Sequence, residues 1–121
     1  MNDISEFEPF VDQIADFFSI LSEPSRVKIV HAICKEERSV SEIVVITGLT
    51  QTNVSRQLNH MLAAGVLSRR KAGTQAFFKV TDETLITMCR DVCIRLVSKM
   101  ETDAERAKAA QKPFLLGMVM K

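Results

Sequence analysis

Hydrogen-bonding side chains crowd one short segment of this chain, from Thr50 to His60, and no acidic residue interrupts them. An amide such as Gln51 can pair with two atoms of an adenine edge, and an arginine such as Arg56 can do the same with guanine. A merely solvated helix face usually carries both Glu and Lys, so the pattern favours the reading of DNA bases. The residues of this segment that we predict to contact DNA are Thr50, Gln51, Thr52, Asn53, Ser55, Arg56, Gln57 and His60.

A basic cluster follows at Arg69, Arg70 and Lys71. Two strand-like runs, residues 66–71 and 76–80, surround a Gly73 that suits a hairpin tip. Cations on the edge of a hairpin suit contacts to phosphate or to the minor groove better than discrimination among bases. We therefore predict that these three basic residues contact the DNA backbone.

The adjacent Phe77 and Phe78 could stack on nucleic acid, but strand alternation makes at least one of them a core residue, and we favour packing in the core over stacking.

The formal net charge of +1 hides an uneven distribution of charge along the chain. Residues 1–23 hold six acids and no base, whereas residues 50–80 hold five bases and no acid. Such an asymmetry is typical of a compact surface that binds a polyanion.

The elements that must position this surface begin with an amphipathic helix. Apolar residues recur at spacings of three and four from Phe7 to Leu21, and acids occupy the opposite face. The apolar stripe should therefore cover either the domain core or a partner subunit. Pro24 suits the first turn of a second helix that runs to about Lys35. The residues that this second helix is predicted to bury are Val27, Val30 and Ile33.

Two further helices are predicted around a very short junction. Ser39 and Glu42 form the pattern of a capping box, and Gly48 stands where a left-handed residue would end the helix. Thr50 then caps the polar helix, and Gly65 closes it. A junction this short forces the sharp crossing of a helix-turn-helix. The predicted buried side of the polar helix is Val54, Leu58, Met61 and Leu62.

From Asp82 onward the pattern returns to helix, with a long apolar seam. The seam consists of Leu85, Met88, Cys89, Val92, Cys93, Leu96 and Met100. It is wide for so small a domain, and pairing with the first helix across a two-fold axis would cover it.

The cysteines Cys34, Cys89 and Cys93 are odd in number, which argues against a structural disulfide framework. Cys89 and Cys93 are one helical turn apart, where two thiolates could grip a soft ion. Cys34 could add a third sulfur for a trivalent metalloid, or pair with either of them in an oxidative switch. Packing is the competing interpretation, because free cysteine is among the most buried residue types.

Four ordered segments resemble the ArsR/SmtB family of bacterial winged-helix repressors. These segments are residues 21–26 (LSEPSR), 37–43 (ERSVSEI), 48–58 (GLTQTNVSRQL) and 64–70 (AGVLSRR). The resemblance spans roughly residues 15–95. It implies a homodimer that binds a palindromic operator and leaves it when an effector binds. It also implies that the segment from Thr50 to Arg56 and the wing at 69–75 contact the DNA.

The effector sites of that family match this chain poorly. At the zinc-type site Asp82 matches one ligand, while Thr84, Arg95 and Ser98 fill the other positions. The Cys-x-Cys motif of the arsenic and cadmium sensors has no counterpart in residues 41–45. The two cysteines of the persulfide and peroxide type align with His31 and Val97. The resemblance thus leaves the effector open.

These observations predict a mainly α-helical winged helix-turn-helix with a small β-hairpin, in the order α-α-α-α-β-β-α. The chain would form a homodimer through its first and last helices and bind double-stranded operator DNA. Residues 1–112 would form the DNA-binding and dimerisation domain, and residues 113–121 an apolar tail or short helix. Two alternatives stay open: a winged helix used only for protein–protein interaction, and a constitutive regulator that senses nothing.

Other classes of function find little support in the chain. There is no Cys/His/Asn set in a plausible order and no cofactor loop, so we expect no enzymatic activity. DNA binding should need no cofactor, and the effector would be a thiol-bound metal or metalloid, or cysteine oxidation. The acidic N-terminus does not resemble a signal peptide, and we expect a cytoplasmic protein without a membrane partner.

Overall fold

A computed structural model describes residues 3–104 of the chain. Single 3₁₀ turns, Ile4–Glu6 and Ile20–Ser22, flank the first helix. The regular elements of the described residues are α1 (Glu8–Ser19), α2 (Pro24–Ile33), β1 (Arg38–Ser39), α3 (Val40–Thr47), α4 (Gln51–Ala63), β2 (Leu67–Ala72), β3 (Gln75–Val80) and α5 (Glu83–Ala104). The predicted mainly helical architecture with a hairpin is confirmed, with β1 as an addition. The predicted tail at 113–121 lies outside the described residues.

The helix-turn-helix rests on caps that the sequence predicted. The Ser39 hydroxyl accepts a hydrogen bond from the Glu42 backbone N–H at 3.3 Å, and the Glu42 carboxylate accepts one from the Ser39 N–H at 2.9 Å. Gly48 adopts a left-handed conformation with φ 74°, and its N–H reaches the Val44 carbonyl. Thr50 then caps α4 by accepting from the Asn53 N–H at 3.1 Å. These local contacts define the turn between α3 and α4.

The wing is a three-stranded antiparallel sheet in the order β1-β3-β2. Its hairpin closes at the pair Ala72 and Gln75, with Gly73 in the left-handed region at φ 64°. Strand β1 pairs with β3 on its other side through Arg38–Phe78 and Ser39–Phe77. Two residues are too short to show the alternation that predicts a strand, so this third strand was missed.

The described residues divide into two compact units, one that ends at Asp82 and one that begins at Glu83. The first unit has a core built from α2, α3, α4 and the sheet. Its most buried side chains include Ile29, Ile33, Ile43, Val54, Leu58, Met61 and Val80. The predicted inner side of α4 is confirmed for Val54, Leu58 and Met61, while Leu62 is half-buried.

The prediction that α2 buries Val27 is wrong, because Val27 is exposed and Ile29 is fully buried. Helix α2 carries apolar residues on more than one side, so the spacing of apolar residues alone did not predict which of them are buried.

The amphipathic helix α1 buries none of its residues. Phe10 and Phe18 are 54% and 57% exposed, so much of the apolar stripe is not buried in the core formed by α2, α3, α4 and the sheet. Helix α5 shows a similar excess of apolar surface at Val92, Leu96 and Met100. The predicted seam of α5 is therefore only partly correct, since Leu85 and the unpredicted Val97 are its buried apolar residues. No helix within residues 3–104 combines the length and the apolarity needed to span a bilayer.

Candidate nucleic-acid interface

Helix α4 presents a polar face because its apolar side packs into the core. Gln51, Thr52, Arg56 and His60 are exposed, and Ser55 is half-buried. Thr50, at the helix start, uses its hydroxyl oxygen to accept the capping bond and keeps its O–H as a donor. The exposed face is therefore rich in the donors and acceptors that base edges and phosphates require.

Two of the predicted DNA contacts, Asn53 and Gln57, are instead engaged inside the protein. Gln57 is 8% exposed, accepts a hydrogen bond from Arg26 at 2.9 Å and donates one to the Asn53 Oδ1 at 3.1 Å. Asn53 in turn donates from Nδ2 to the Ser25 hydroxyl at 3.1 Å. A bidentate contact with adenine needs an amide whose oxygen and nitrogen both face the base. The structure thus departs from our expectation for Gln57, and it restricts Asn53.

Arg56 retains the properties of a base-reading residue. Its side chain is exposed, and its Nη2 lies 3.4 Å from the Asn53 Oδ1. A guanidinium carries five N–H donors, and this contact uses one of them. Arg56 is therefore oriented by its neighbour and can still pair bidentately with a guanine.

The basic cluster of the wing lies on β2. Arg69 and Lys71 are exposed, whereas Arg70 is paired with Glu37, the residue before β1. The Arg70 Nε lies 3.0 and 3.2 Å from the two carboxylate oxygens, and its Nη2 reaches the same carboxylate. The Arg70 guanidinium also lies 5.0 Å from the centre of the Phe77 ring.

The ion pair shifts the pKa values of both side chains. The hydrogen bonds from Arg70 hold the pKa of Glu37 below its ordinary value, and Glu37 raises the pKa of Arg70. A carboxylate therefore neutralises one of the three cations of the basic cluster on β2. Sequence analysis missed Glu37, because only the pairing of β1 with β3 brings it to the wing.

Phe78 is buried and Phe77 is half-buried beneath Arg70. The prediction that at least one of them belongs to the core is confirmed by Phe78.

The three cysteines are half-buried and are not joined by disulfides. Cys34 caps the end of α2, with its Sγ 3.5 Å from the His31 carbonyl, while Cys89 and Cys93 lie on α5. Among residues 3–104, no three or more His, Cys, Asp or Glu side chains come together in a way that could hold a metal ion. The thiol-based effector site stays a prediction.

Comparison with known proteins places this architecture in a family. The model of the bacterial regulatory proteins of the arsR family matches residues 23–69. An HTH-type transcriptional regulator of Mycobacterium tuberculosis is 31% identical over 97 residues, which cover 77% of this chain and 85% of that protein. A probable mercury resistance operon repressor of Streptomyces lividans is 34% identical over 71 residues, covering 59% of this chain and 57% of the repressor.

Solved structures show the same fold. The crystal structure of the M. tuberculosis regulator superposes with a TM-score of 0.66 at 30% identity, covering 77% of this chain and 97% of the other. A homodimeric winged helix-turn-helix DNA-binding domain from Mycobacterium bovis gives a TM-score of 0.69 at 22% identity, covering 84% of this chain and 93% of that domain. The chain belongs to the arsR family of bacterial regulatory proteins and is a DNA-binding transcriptional regulator with a winged helix-turn-helix.

Proposed function

We propose that this regulator is a homodimeric repressor that binds a palindromic operator and releases it when an effector binds. The observation that carries the proposal is the exposed polar face of α4, free of acids, beside a wing with Arg69 and Lys71 exposed. The helix would read bases in the major groove, and the wing would hold the backbone.

The uncovered apolar stripe of α1 supports a dimer. Phe10, Ile14 and Phe18 are each at least 45% exposed, and solvent exposure of so many large apolar side chains on one helix is unfavourable. A second copy would cover them, with α5 contributing its own exposed apolar residues. The homodimeric M. bovis domain with the same fold agrees with this arrangement.

Dimerisation supplies the geometry of the operator. Two α4 helices related by a two-fold axis must fit successive major grooves, about 34 Å apart. An effector that changes the dimer interface changes that spacing and shifts the population away from the DNA-binding form. Operator affinity then falls without any change in the α4 side chains.

We propose that the effector acts on thiols. The three half-buried cysteines, which form no disulfide, support this. The name of the mercury resistance operon repressor, which concerns a soft metal, supports it as well. Cys89 and Cys93, one helical turn apart on α5, are the favoured thiol site.

A gel shift with the DNA upstream of the protein's own coding sequence tests repressor function. Wild type should bind at low salt as two chains per duplex, and no binding would favour a protein-interaction module instead. Adding arsenite, cadmium, peroxide or persulfide should release wild type but not a Cys34/Cys89/Cys93 triple Ser variant. An equal response of both proteins to all four reagents would show that the cysteines only pack.

A further inference from the structure

Arg26 joins the end of α1 to the DNA-facing helix α4. Its Nε donates to the Ile20 carbonyl at 2.8 Å, and its Nη2 donates to the Ser19 carbonyl at 3.1 Å. Carbonyls at a helix end lack intrahelical partners, and a cation there is favoured by the helix dipole. The third nitrogen, Nη1, donates to the Gln57 Oε1 at 2.9 Å. One planar guanidinium thus bridges two elements that are far apart in sequence.

Further hydrogen bonds connect Gln57 with the polar face of α4. Gln57 donates to the Asn53 Oδ1, and the same oxygen lies 3.4 Å from an Arg56 nitrogen. The Asn53 Nδ2 is held by Ser25, the neighbour of Arg26 on α2. Gln57 is 8% exposed, and hydrogen bonds shielded from water are stronger and fix orientation more firmly. We call Ser25, Arg26, Asn53, Arg56 and Gln57 the Arg26 network.

We propose that Arg26 is a positioning residue for DNA reading, which acts through Gln57 and Asn53 on the orientation of Arg56. The inference rests on the proposed function, since it assigns a role within operator recognition. Arg26 itself does not contact bases in this account. Its two bonds to the end of α1 also tie the geometry of α4 to the helix proposed to form the dimer.

The planar guanidinium of Arg26 explains why a lysine at this position would not make the same contacts. Three separate nitrogens reach three acceptors, whereas lysine offers a single ammonium. Arg26→Lys keeps the charge and should fail as Arg26→Gln does. Lys28→Gln is the matched control, because it removes an exposed positive charge from the same helix.

The binding experiment compares a duplex selected by wild type from a random-sequence pool with its scrambled counterpart, by fluorescence anisotropy. Arg26→Gln and Arg26→Lys should bind the selected duplex about tenfold more weakly, the scale of one bidentate base contact. Binding of the scrambled duplex, carried by phosphate contacts, should change less than about twofold. Gln57→Leu should weaken binding of the selected duplex to the same extent. The double variant Arg26→Gln/Gln57→Leu should lose little more affinity than either single variant.

Side-chain amide NMR of the free protein tests the positioning directly. The Asn53 and Gln57 NH₂ groups should be ordered in wild type and in Lys28→Gln, and mobile in Arg26→Gln, with thermal unfolding confirming that each variant is folded. Equally ordered amides in Arg26→Gln, or operator binding as tight as that of wild type, would overturn the proposal. If wild type fails to distinguish the two duplexes, the proposed function fails, and the amide measurement still decides on the network.

Discussion

We expect the pairing of Glu37 with Arg70 to make the wing a weaker polyanion binder than its basic residues alone indicate. Both side chains are partly exposed, 39% for Glu37 and 56% for Arg70, so the pair adds little to the free energy of unfolding. Glu37→Gln should therefore stay folded. It should also release Arg70 for a phosphate, because a neutral amide competes for the guanidinium far less than a carboxylate does.

The size of the effect follows from counterion release. Each added phosphate contact steepens the dependence of log K on log salt by about 0.9, and a dimer would gain two such contacts. Between 50 and 200 mM salt, the affinity of Glu37→Gln for a scrambled duplex should thus fall about tenfold more than that of wild type. At the low-salt end the variant should bind the more tightly.

The assay is fluorescence anisotropy with a labelled scrambled duplex over that range of salt. Glu36→Gln is the matched control, because Glu36 is the adjacent acid and lies 3.6 Å from Arg38 rather than near Arg70. A slope for Glu37→Gln equal to that of wild type would refute the reasoning. So would an equal steepening in Glu36→Gln, since the effect would then not be specific to the pair of Glu37 with Arg70.

Three further predictions concern the ion pair, the core and the dimer. Because Arg70 lowers the pKa of Glu37, the ion pair is present above the ordinary carboxyl pKa and is lost only as pH falls through the lowered value. In Arg70→Gln, NMR titration of the carboxyl groups should show the pKa of Glu37 raised toward its ordinary value. An unchanged pKa would contradict the pairing. Met61→Ala should reduce the free energy of unfolding in urea by about 2–5 kcal/mol, because Met61 is fully buried, whereas Val45→Ala, at an 82% exposed site, should stay within about 0.5 kcal/mol. Phe10→Asp should convert the proposed homodimer to a folded monomer in sedimentation velocity, and a variant that stays dimeric would contradict the place of the α1 stripe in the interface.

The helix-turn-helix could be predicted from the sequence because its defining contacts are local. The caps at Ser39 and Thr50 and the left-handed Gly48 depend on contacts within four residues, so the residue types alone identify them. The inner side of α4 follows from helical periodicity in the same way. Such features place the helix-turn-helix without any knowledge of tertiary structure.

The features that the sequence could not predict depend on contacts between distant segments. Gln57 is buried, and its side-chain oxygen accepts a hydrogen bond from Arg26, 31 residues earlier in the chain. Arg70 meets Glu37, 33 residues away, because a two-residue strand joins the wing. A hydrogen-bonding residue type indicates capacity for a contact and cannot identify the partner, whether DNA or the protein itself.

The most direct test of the account is the ratio of affinities for the selected and scrambled duplexes in wild type and in Arg56→Ala. If the exposed face of α4 reads bases, the ratio should fall about tenfold or more, with little change on scrambled DNA. Equal losses on both duplexes would show that Arg56 contributes only charge, and that α4 does not read sequence through this residue.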